Sequence, residues 1–142
     1  MRYFKDSEFN HLDKMDPQFL EFLDDVREEA GVPFILTSDG REAEYNRTIG
    51  GSERSLHVYD HGRMASAVDF TTPNGRARNK VGWREDLWKI TRAVVLVAIQ
   101  MEAATGRTVQ LELVQGPTDW HVHLGLQPEG STIKSKLILM ID

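Results

Sequence analysis

The stretch Trp120-His121-Val122-His123-Leu124 decides the fold, because its polar and apolar residues alternate. In an extended strand, successive side chains point to opposite faces. The two histidines therefore share one face, and the tryptophan, valine and leucine share the other. The apolar face can join a hydrophobic core, which leaves two imidazoles side by side at a surface or cleft. Neutral imidazole is a common metal ligand, so this strand is the first candidate for a functional site.

A second pair of histidines, His57 and His61, lies upstream and shortly before Asp69. Four of the five histidines thus fall into two short segments, one of which is followed by a carboxylate. Two histidines and one aspartate can supply the three protein ligands of a zinc site that leaves one position open for water. The alternative interpretation is that the two histidines of the His-x-His motif are ordinary exposed side chains of a strand, since a short motif alone is weak evidence.

The composition restricts the class of protein. The chain has 142 residues, of which 40% are hydrophobic, so we expect a single domain over 1–142 with a real core. The formal net charge of −5 argues against general nucleic-acid binding, which needs a basic face. Because the chain has no cysteine, a metal site must use nitrogen and oxygen ligands.

Hydrophobic periodicity predicts an α+β domain. One helix is expected to begin at Asp16-Pro17 and to end at Gly31, and a longer helix is expected over 83–105. These elements favour a small, mainly antiparallel sheet with helices packed on one face. The segments 41–56 and 71–80 are predicted as loops. The predicted strands cover 33–38, 65–70, 108–114, 120–126 and 136–141.

Polar residues near these strands are further candidates. Arg41 could pair with a substrate carboxylate through its guanidinium, or could be an ordinary surface arginine. Asp119 could act as a general base for a metal-bound water, or could simply belong to the turn before the His-x-His strand. Glu112 is the other nearby carboxylate, on the polar side of its strand. Two aromatic residues are predicted to pack with their helix rather than to contact a ligand, Trp83 and Trp88.

Several short motifs occur together in a familiar order. They include Gly-Gly-x-x-x-Ser-x-His at 50–57, Ala-x-Asp at 67–69 and His-x-His at 121–123. In these motifs the chain resembles the M15 zinc D-Ala-D-Ala peptidases, in particular the short carboxypeptidase-like domains of phage and bacterial genomes. The further stretches that carry the resemblance are 3–9, 36–41 and 45–46.

The resemblance implies a hedgehog/D-Ala-D-Ala peptidase-like fold and a zinc-dependent peptidase that cleaves bacterial cell-wall peptides. Such an enzyme is a D-Ala-D-Ala carboxypeptidase or an endolysin-type endopeptidase, with Zn²⁺ as cofactor and a peptidoglycan peptide as substrate. The residue roles that the resemblance implies are zinc ligation by His57, Asp69 and His123, transition-state stabilisation by His121, substrate carboxylate binding by Arg41 and lining of the site by Ser55.

The spacing of the first two ligands departs from the family pattern. The family usually has six residues between its first histidine and its aspartate, whereas eleven separate His57 from Asp69. The additional residues are predicted to form an inserted loop at 58–64, in which His61 is a rival ligand. The intact spacing from the Gly-Gly pair favours His57.

The general base is the second departure. Family members often carry Asp or Glu three residues before the last ligand, a position that is Trp120 in this chain. Asp119 lies one residue away and is the predicted base, with Glu112 as the less favoured choice. The missing carboxylate motivates an alternative function, a catalytically inactive, metal-stabilised binding domain or phage structural domain. A third alternative is an α+β domain whose histidines make ordinary hydrogen bonds.

The sequence predicts neither a leader nor a membrane span. The charged first six residues are not followed by the apolar run of a secretory signal peptide. The longest apolar run, at 93–99, is much shorter than the roughly 20 residues of a spanning helix. We therefore expect cytoplasmic synthesis, a monomer without membrane or nucleic-acid partners, and action on the cell wall only after release or export.

Overall fold

The computed structural model describes residues 1–60 and 62–141. In this part of the chain, five strands form one sheet, in the spatial order first, second, fourth, third, fifth. Neighbouring strands are antiparallel, except that the third and fifth are parallel. The predicted α+β class and the mainly antiparallel sheet are therefore confirmed. The strands are β1 (Ile35–Ser38), β2 (Ala67–Thr71), β3 (Val109–Gln115), β4 (Trp120–Leu126) and β5 (Lys136–Ile141).

The two predicted helices are present, and both end at a glycine. Helix α1 covers Pro17–Ala30, and the Asp16 carboxylate accepts a hydrogen bond from the Gln18 amide at its start (2.9 Å). The long helix covers Lys80–Thr105 and begins three residues earlier than predicted, because the Asn79 side chain caps it by accepting from the Gly82 amide. Gly31 and Gly106 follow the two helices at φ 68° and 73°, a left-handed conformation that glycine adopts without steric cost.

Two short helices lie in segments that were predicted as loops. Helix α2 (Ala43–Thr48) interrupts the polar segment 41–56, and helix α3 (Pro73–Arg76) interrupts 71–80. Neither is long enough to show an apolar period in the sequence. Tertiary contacts and caps hold them instead, since the Ala43 amide donates to the Asp60 carboxylate (2.8 Å) and the Gly75 amide donates to the Thr72 hydroxyl. The long helix is α4 in chain order.

The hydrophobic core lies on one face of the sheet, beneath α1 and α4. Both helices contribute buried side chains to one apolar cluster with the strands, and Phe34 stacks on Phe70 with a ring-centroid distance of 4.0 Å. The alternation predicted for β4 is present, because Val122 and Leu124 are fully buried in this core. The histidines of β4 therefore lie on the opposite face, where the candidate site is built.

Trp88 is an exception to the predicted core. It was expected to pack with its helix, but 77% of the residue is exposed. The prediction was wrong because helical spacing alone does not say how wide the buried face of α4 is. Trp83, five residues earlier, is fully buried as predicted and stacks on Trp120. In residues 1–60 and 62–141, no helix combines the length and the hydrophobicity that crossing a membrane requires.

Candidate metal centre

Three side chains converge on the polar face of the sheet, His57, Asp69 and His123. The Asp69 Oδ1 atom lies 2.9 Å from His123 Nδ1 and 3.3 Å from His57 Nε2. The two imidazole nitrogens are 3.2 Å apart. Three ligand atoms from three separate chain segments thus surround one point, which is the arrangement that a small cation requires.

The sheet register positions two of these side chains. Asp69 on β2 pairs directly with His123 on β4, so both side chains stand on the same face. His57 comes from the segment before β2, where its neighbour Leu56 packs against Gly125 of β4. A Cβ atom at position 125 would lie only 2.7 Å from the Leu56 side chain. The bare backbone of Gly125 therefore lets the segment carrying His57 approach β4.

Hydrogen bonds fix which nitrogen of each imidazole faces the cluster. His57 Nδ1 donates to the backbone carbonyl of Asp39 (2.7 Å), which leaves Nε2 directed at the other two ligands. His123 Nε2 donates to the Gln110 side-chain oxygen (2.8 Å), which leaves Nδ1 directed at Asp69. Metal-ligating histidines commonly donate their second ring N–H to such a partner. If a metal ion were bound, each of these two nitrogens would present its lone pair to the ion.

The electrostatics of the cluster favour a bound cation. Burial raises the pKa of Asp69, but hydrogen bonds and charge interactions with His123 and His57 outweigh it and hold the pKa well below its usual range. Asp69 thus stabilises the fold at pH values above about 4, and this contribution is lost as the pH falls through the lower folded-state pKa. The ionised Asp69 carboxylate would likewise be stabilised by a divalent cation held between the three side chains.

The ligand atoms also fit the size of a zinc site. Tetrahedral Zn²⁺ with bonds of about 2.0–2.1 Å separates its ligand atoms by about 3.3 Å. The observed separations of 2.9, 3.2 and 3.3 Å match this value within a few tenths of an ångström. The donor set of two nitrogens and one oxygen also suits zinc. The residues present therefore fit the group that the sequence predicted.

Two cavities border the cluster. The first, of about 740 Å³, is lined by Asp69 together with Arg41, Tyr45 and Tyr59. Arg41 is half-buried, and its guanidinium donates to the Asn46 side-chain oxygen (3.4 Å).

The second cavity, of about 580 Å³, is lined by His123 together with Ser55, Gln110 and Glu112. The Ser55 hydroxyl also accepts a hydrogen bond from the His57 amide (3.3 Å). The residues predicted to contact substrate, Arg41 and Ser55, thus lie in different cavities on two sides of the ligand cluster.

The other predicted site residues are not part of the cluster. His121 shares the face of His123, is half-buried and lies opposite Val114 of β3. Asp119 is exposed in the turn between β3 and β4. Glu112 is half-buried on β3 and pairs directly with His123 in the strand register. His61, the rival ligand, lies outside the described residues.

Sequence reasoning missed two residues that support the ligands, Asp39 and Gln110. Asp39 is 5% exposed, and its carboxylate accepts hydrogen bonds from the amides of Asn10 and His11, which hold the carbonyl that orients His57. One feature of the sequence pointed to Gln110: it lies two residues before Glu112, so both side chains are on the polar face of β3. The sequence does not give the register between β3 and β4, so it could not show that this face lies beside His123.

Asn46 is a third residue that sequence reasoning missed. It is 1% exposed, donates to the Ser52 carbonyl (2.7 Å) and accepts from Arg41. A Cβ atom at Gly51 would collide with the Asn46 amide. The second glycine of the Gly-Gly motif therefore allows a close approach that links Arg41 to the loop carrying Ser55.

Replacing Gln110 by leucine is expected to weaken metal binding. The substitution removes the acceptor for His123 Nε2, so the ring can adopt the other tautomer or rotate away from Asp69. Loss of such a supporting partner typically costs about 10–100-fold in metal affinity. Competitive titration of Zn²⁺ against a chromophoric chelator measures the change, with Gln110→Glu retaining an acceptor oxygen as the control. An affinity unchanged in the leucine variant would exclude this role for Gln110.

The comparisons with known proteins identify a family. The family model described as Peptidase M15 matches residues 5–109. This range includes His57 and Asp69 but ends before β4, so the match does not extend to His123. No curated protein and no solved structure gave a significant match.

Proposed function

Because the chain belongs to the Peptidase M15 family, a family of metallopeptidases, we propose that it is a zinc-dependent peptidase that cleaves bacterial cell-wall peptides. Its substrate is a peptidoglycan peptide, cut by D-Ala-D-Ala carboxypeptidase or endolysin-type endopeptidase action. The observation that carries this proposal is the convergence of His57, Asp69 and His123 between two open cavities. In this proposal the peptide lies across the ligand cluster, with one part in each cavity.

Zinc held by His57, Asp69 and His123 would lower the pKa of a water at its open position and would polarise the scissile carbonyl. The protein contributes the rigid placement of these ligands, since two of them stand on paired strands. The Asp39 carbonyl and the Gln110 side chain keep the imidazoles in the tautomers that ligation needs.

Glu112 is better supported as the general base than the predicted Asp119. Glu112 lines the cavity that includes His123 and pairs with His123 across the strands. Within the described part of the chain, its carboxylate has no hydrogen bond or ion pair that would hold it away from a water in that cavity. Asp119 lies four residues before His123, or about 13 Å along an extended strand. Glu112 therefore accepts the proton of the attacking water.

Three further residues complete the site. Arg41 binds a substrate carboxylate in the cavity that Asp69 borders, since a guanidinium forms paired hydrogen bonds with carboxylates. His121 stabilises the negative charge that develops on the carbonyl oxygen. Ser55 lines the opposite cavity and contacts the peptide there. The roles of Arg41 and Ser55 are supported by their places in the two cavities that the ligands border. The role of His121 is supported by its position on the same face of β4 as His123. The resemblance of the sequence motifs supports all three roles.

The proposal is tested by incubating the zinc-loaded protein with isolated peptidoglycan and with a synthetic peptide ending in D-Ala-D-Ala. Mass spectrometry of the products should show cleavage that a chelator stops and added Zn²⁺ restores. Free D-alanine would identify a carboxypeptidase, and internal cuts would identify an endopeptidase. A folded, zinc-loaded protein that leaves both substrates intact would contradict the peptidase function.

A second candidate function is an inactive, metal-stabilised binding domain or phage structural domain. The observation that favours it is at Trp120, where the family often has a carboxylate. Trp120 stacks on Trp83, with ring centroids 6.2 Å apart, and its indole N–H donates to the Gly116 carbonyl. This side chain therefore serves packing. Zinc binding together with retention on peptidoglycan, without any cleavage, would favour this second function.

A further inference from the structure

The cavity that His123 lines has more cationic than anionic side chains around it. The chain as a whole carries a formal net charge of −5, yet cationic side chains outnumber anionic ones around this 580 Å³ cavity. The charged lining residues are Arg54, Arg63, Lys134, Lys136, Glu53 and Glu112.

One of the four cations has a structural task. The Arg63 guanidinium donates to the backbone carbonyls of Ser55 (3.0 Å) and Glu53 (3.5 Å). These hydrogen bonds stabilise the loop that precedes His57. Arg54, Lys134 and Lys136 are exposed, and none of them forms an ion pair within residues 1–60 and 62–141. Their charges are therefore available to a ligand.

The three cations come from two chain segments that both line the cavity. Arg54 belongs to the loop between α2 and β2, Lys136 is the first residue of β5, and Lys134 lies two residues before it. Of the two carboxylates, Glu112 lies next to His123 and is the proposed base. Among the described residues that line the cavity, Glu53 is the remaining carboxylate that can offset the positive charge.

We propose that this cavity binds a carboxylate-bearing segment of the peptide substrate, on the side of the scissile bond opposite to Arg41. The inference rests on the proposed peptidase function and adds the chemical class of the substrate, which is an acidic peptide. Cations that line a concave surface raise the local concentration of an anionic ligand, and they do so less as salt is added. The cavity thus selects peptides with a free carboxylate at this position over their amides.

Binding of two wall-type pentapeptides tests this inference separately from catalysis. Both peptides carry a D-glutamyl residue, with a free carboxylate in one and a carboxamide in the other. Dissociation constants are measured by calorimetry with zinc-loaded Glu112→Gln protein, so that the peptide is not consumed. The free carboxylate should bind about tenfold more tightly, the effect of one hydrogen bond to a charged group.

The Lys134→Glu/Lys136→Glu variant, made in the same Glu112→Gln background, should bind the two peptides with nearly equal dissociation constants. The matched control, Lys80→Glu/Lys89→Glu, changes the net charge equally on exposed positions of α4 and should keep the preference. Raising the salt concentration should reduce the preference in the parent protein. Equal binding of the two peptides by the parent, or a preference that survives loss of the two lysines, would overturn the inference. Failure of the proposed function would appear elsewhere, as absence of cleavage by the wild-type protein.

Discussion

Replacing Asp69 by alanine is expected to abolish high-affinity zinc binding and peptidase activity together. The substitution removes the ligand that contacts both imidazoles, at 2.9 and 3.3 Å. It also removes the only negative charge of the ligand set, so two neutral nitrogens are left to bind the ion. Without the ion, the cluster no longer supplies the Lewis acid that would lower the pKa of a bound water.

Thermal unfolding with and without Zn²⁺ measures this effect. A ligand present at 100 times its dissociation constant stabilises the folded state by about 2.7 kcal/mol. Wild-type protein should therefore show a clear rise in Tm on zinc addition, and the Asp69→Ala variant should show none. The control is Asp25→Ala, which removes a carboxylate on α1 that pairs with Arg2. An undiminished zinc-induced rise in the Asp69→Ala variant would mean that the ion binds elsewhere.

Replacing Glu112 by glutamine is expected to lower kcat by about 10²–10⁴-fold while zinc still binds. A general base typically contributes this factor, and the amide keeps the shape of the side chain but cannot accept the proton. Asp119→Asn is the matched comparison, because it makes the same chemical change at an exposed turn position. We expect that variant to retain kcat within about twofold, in line with the small effects of exposed substitutions.

Steady-state kinetics and zinc content of the two amide variants decide between the bases. The Glu112→Gln protein should contain zinc and keep its KM, with the loss confined to kcat. A large loss of kcat in Asp119→Asn, with Glu112→Gln close to wild type, would identify Asp119 as the general base, as the sequence predicted. Wild-type activity in both variants would exclude both carboxylates.

The part of the site that lies on regular strands could be predicted from the sequence. Strict alternation in β4 separates His123 from Val122 and Leu124, and this alternation follows from strand geometry. The strands, the long helix and the α+β class could be predicted for the same reason, since each extends over a full period of its pattern. The Ala-x-Asp motif similarly directs Asp69 away from the buried Val68.

The contacts that depend on the pairing of distant segments could not be predicted. Gln110 supports His123 only because β3 pairs with β4 in one register, and a shift of one residue would turn it to the other face. The role of Asp39 could not be predicted either, because its sequence neighbours do not show that its carbonyl meets His57. Asn46 has no hydrophobic period to reveal that it is buried. Propensity and motifs therefore indicated the candidate ligands, and tertiary structure added the groups that orient them.

X-ray absorption at the zinc edge, combined with a crystal structure of the zinc-loaded protein, tests the central claim most directly. We expect one ion bound by His57 Nε2, His123 Nδ1 and an Asp69 oxygen at about 2.0–2.2 Å, with a fourth position open to the two cavities. Zinc bound by other residues, or an ion that leaves any of these three side chains uncoordinated, would contradict the account.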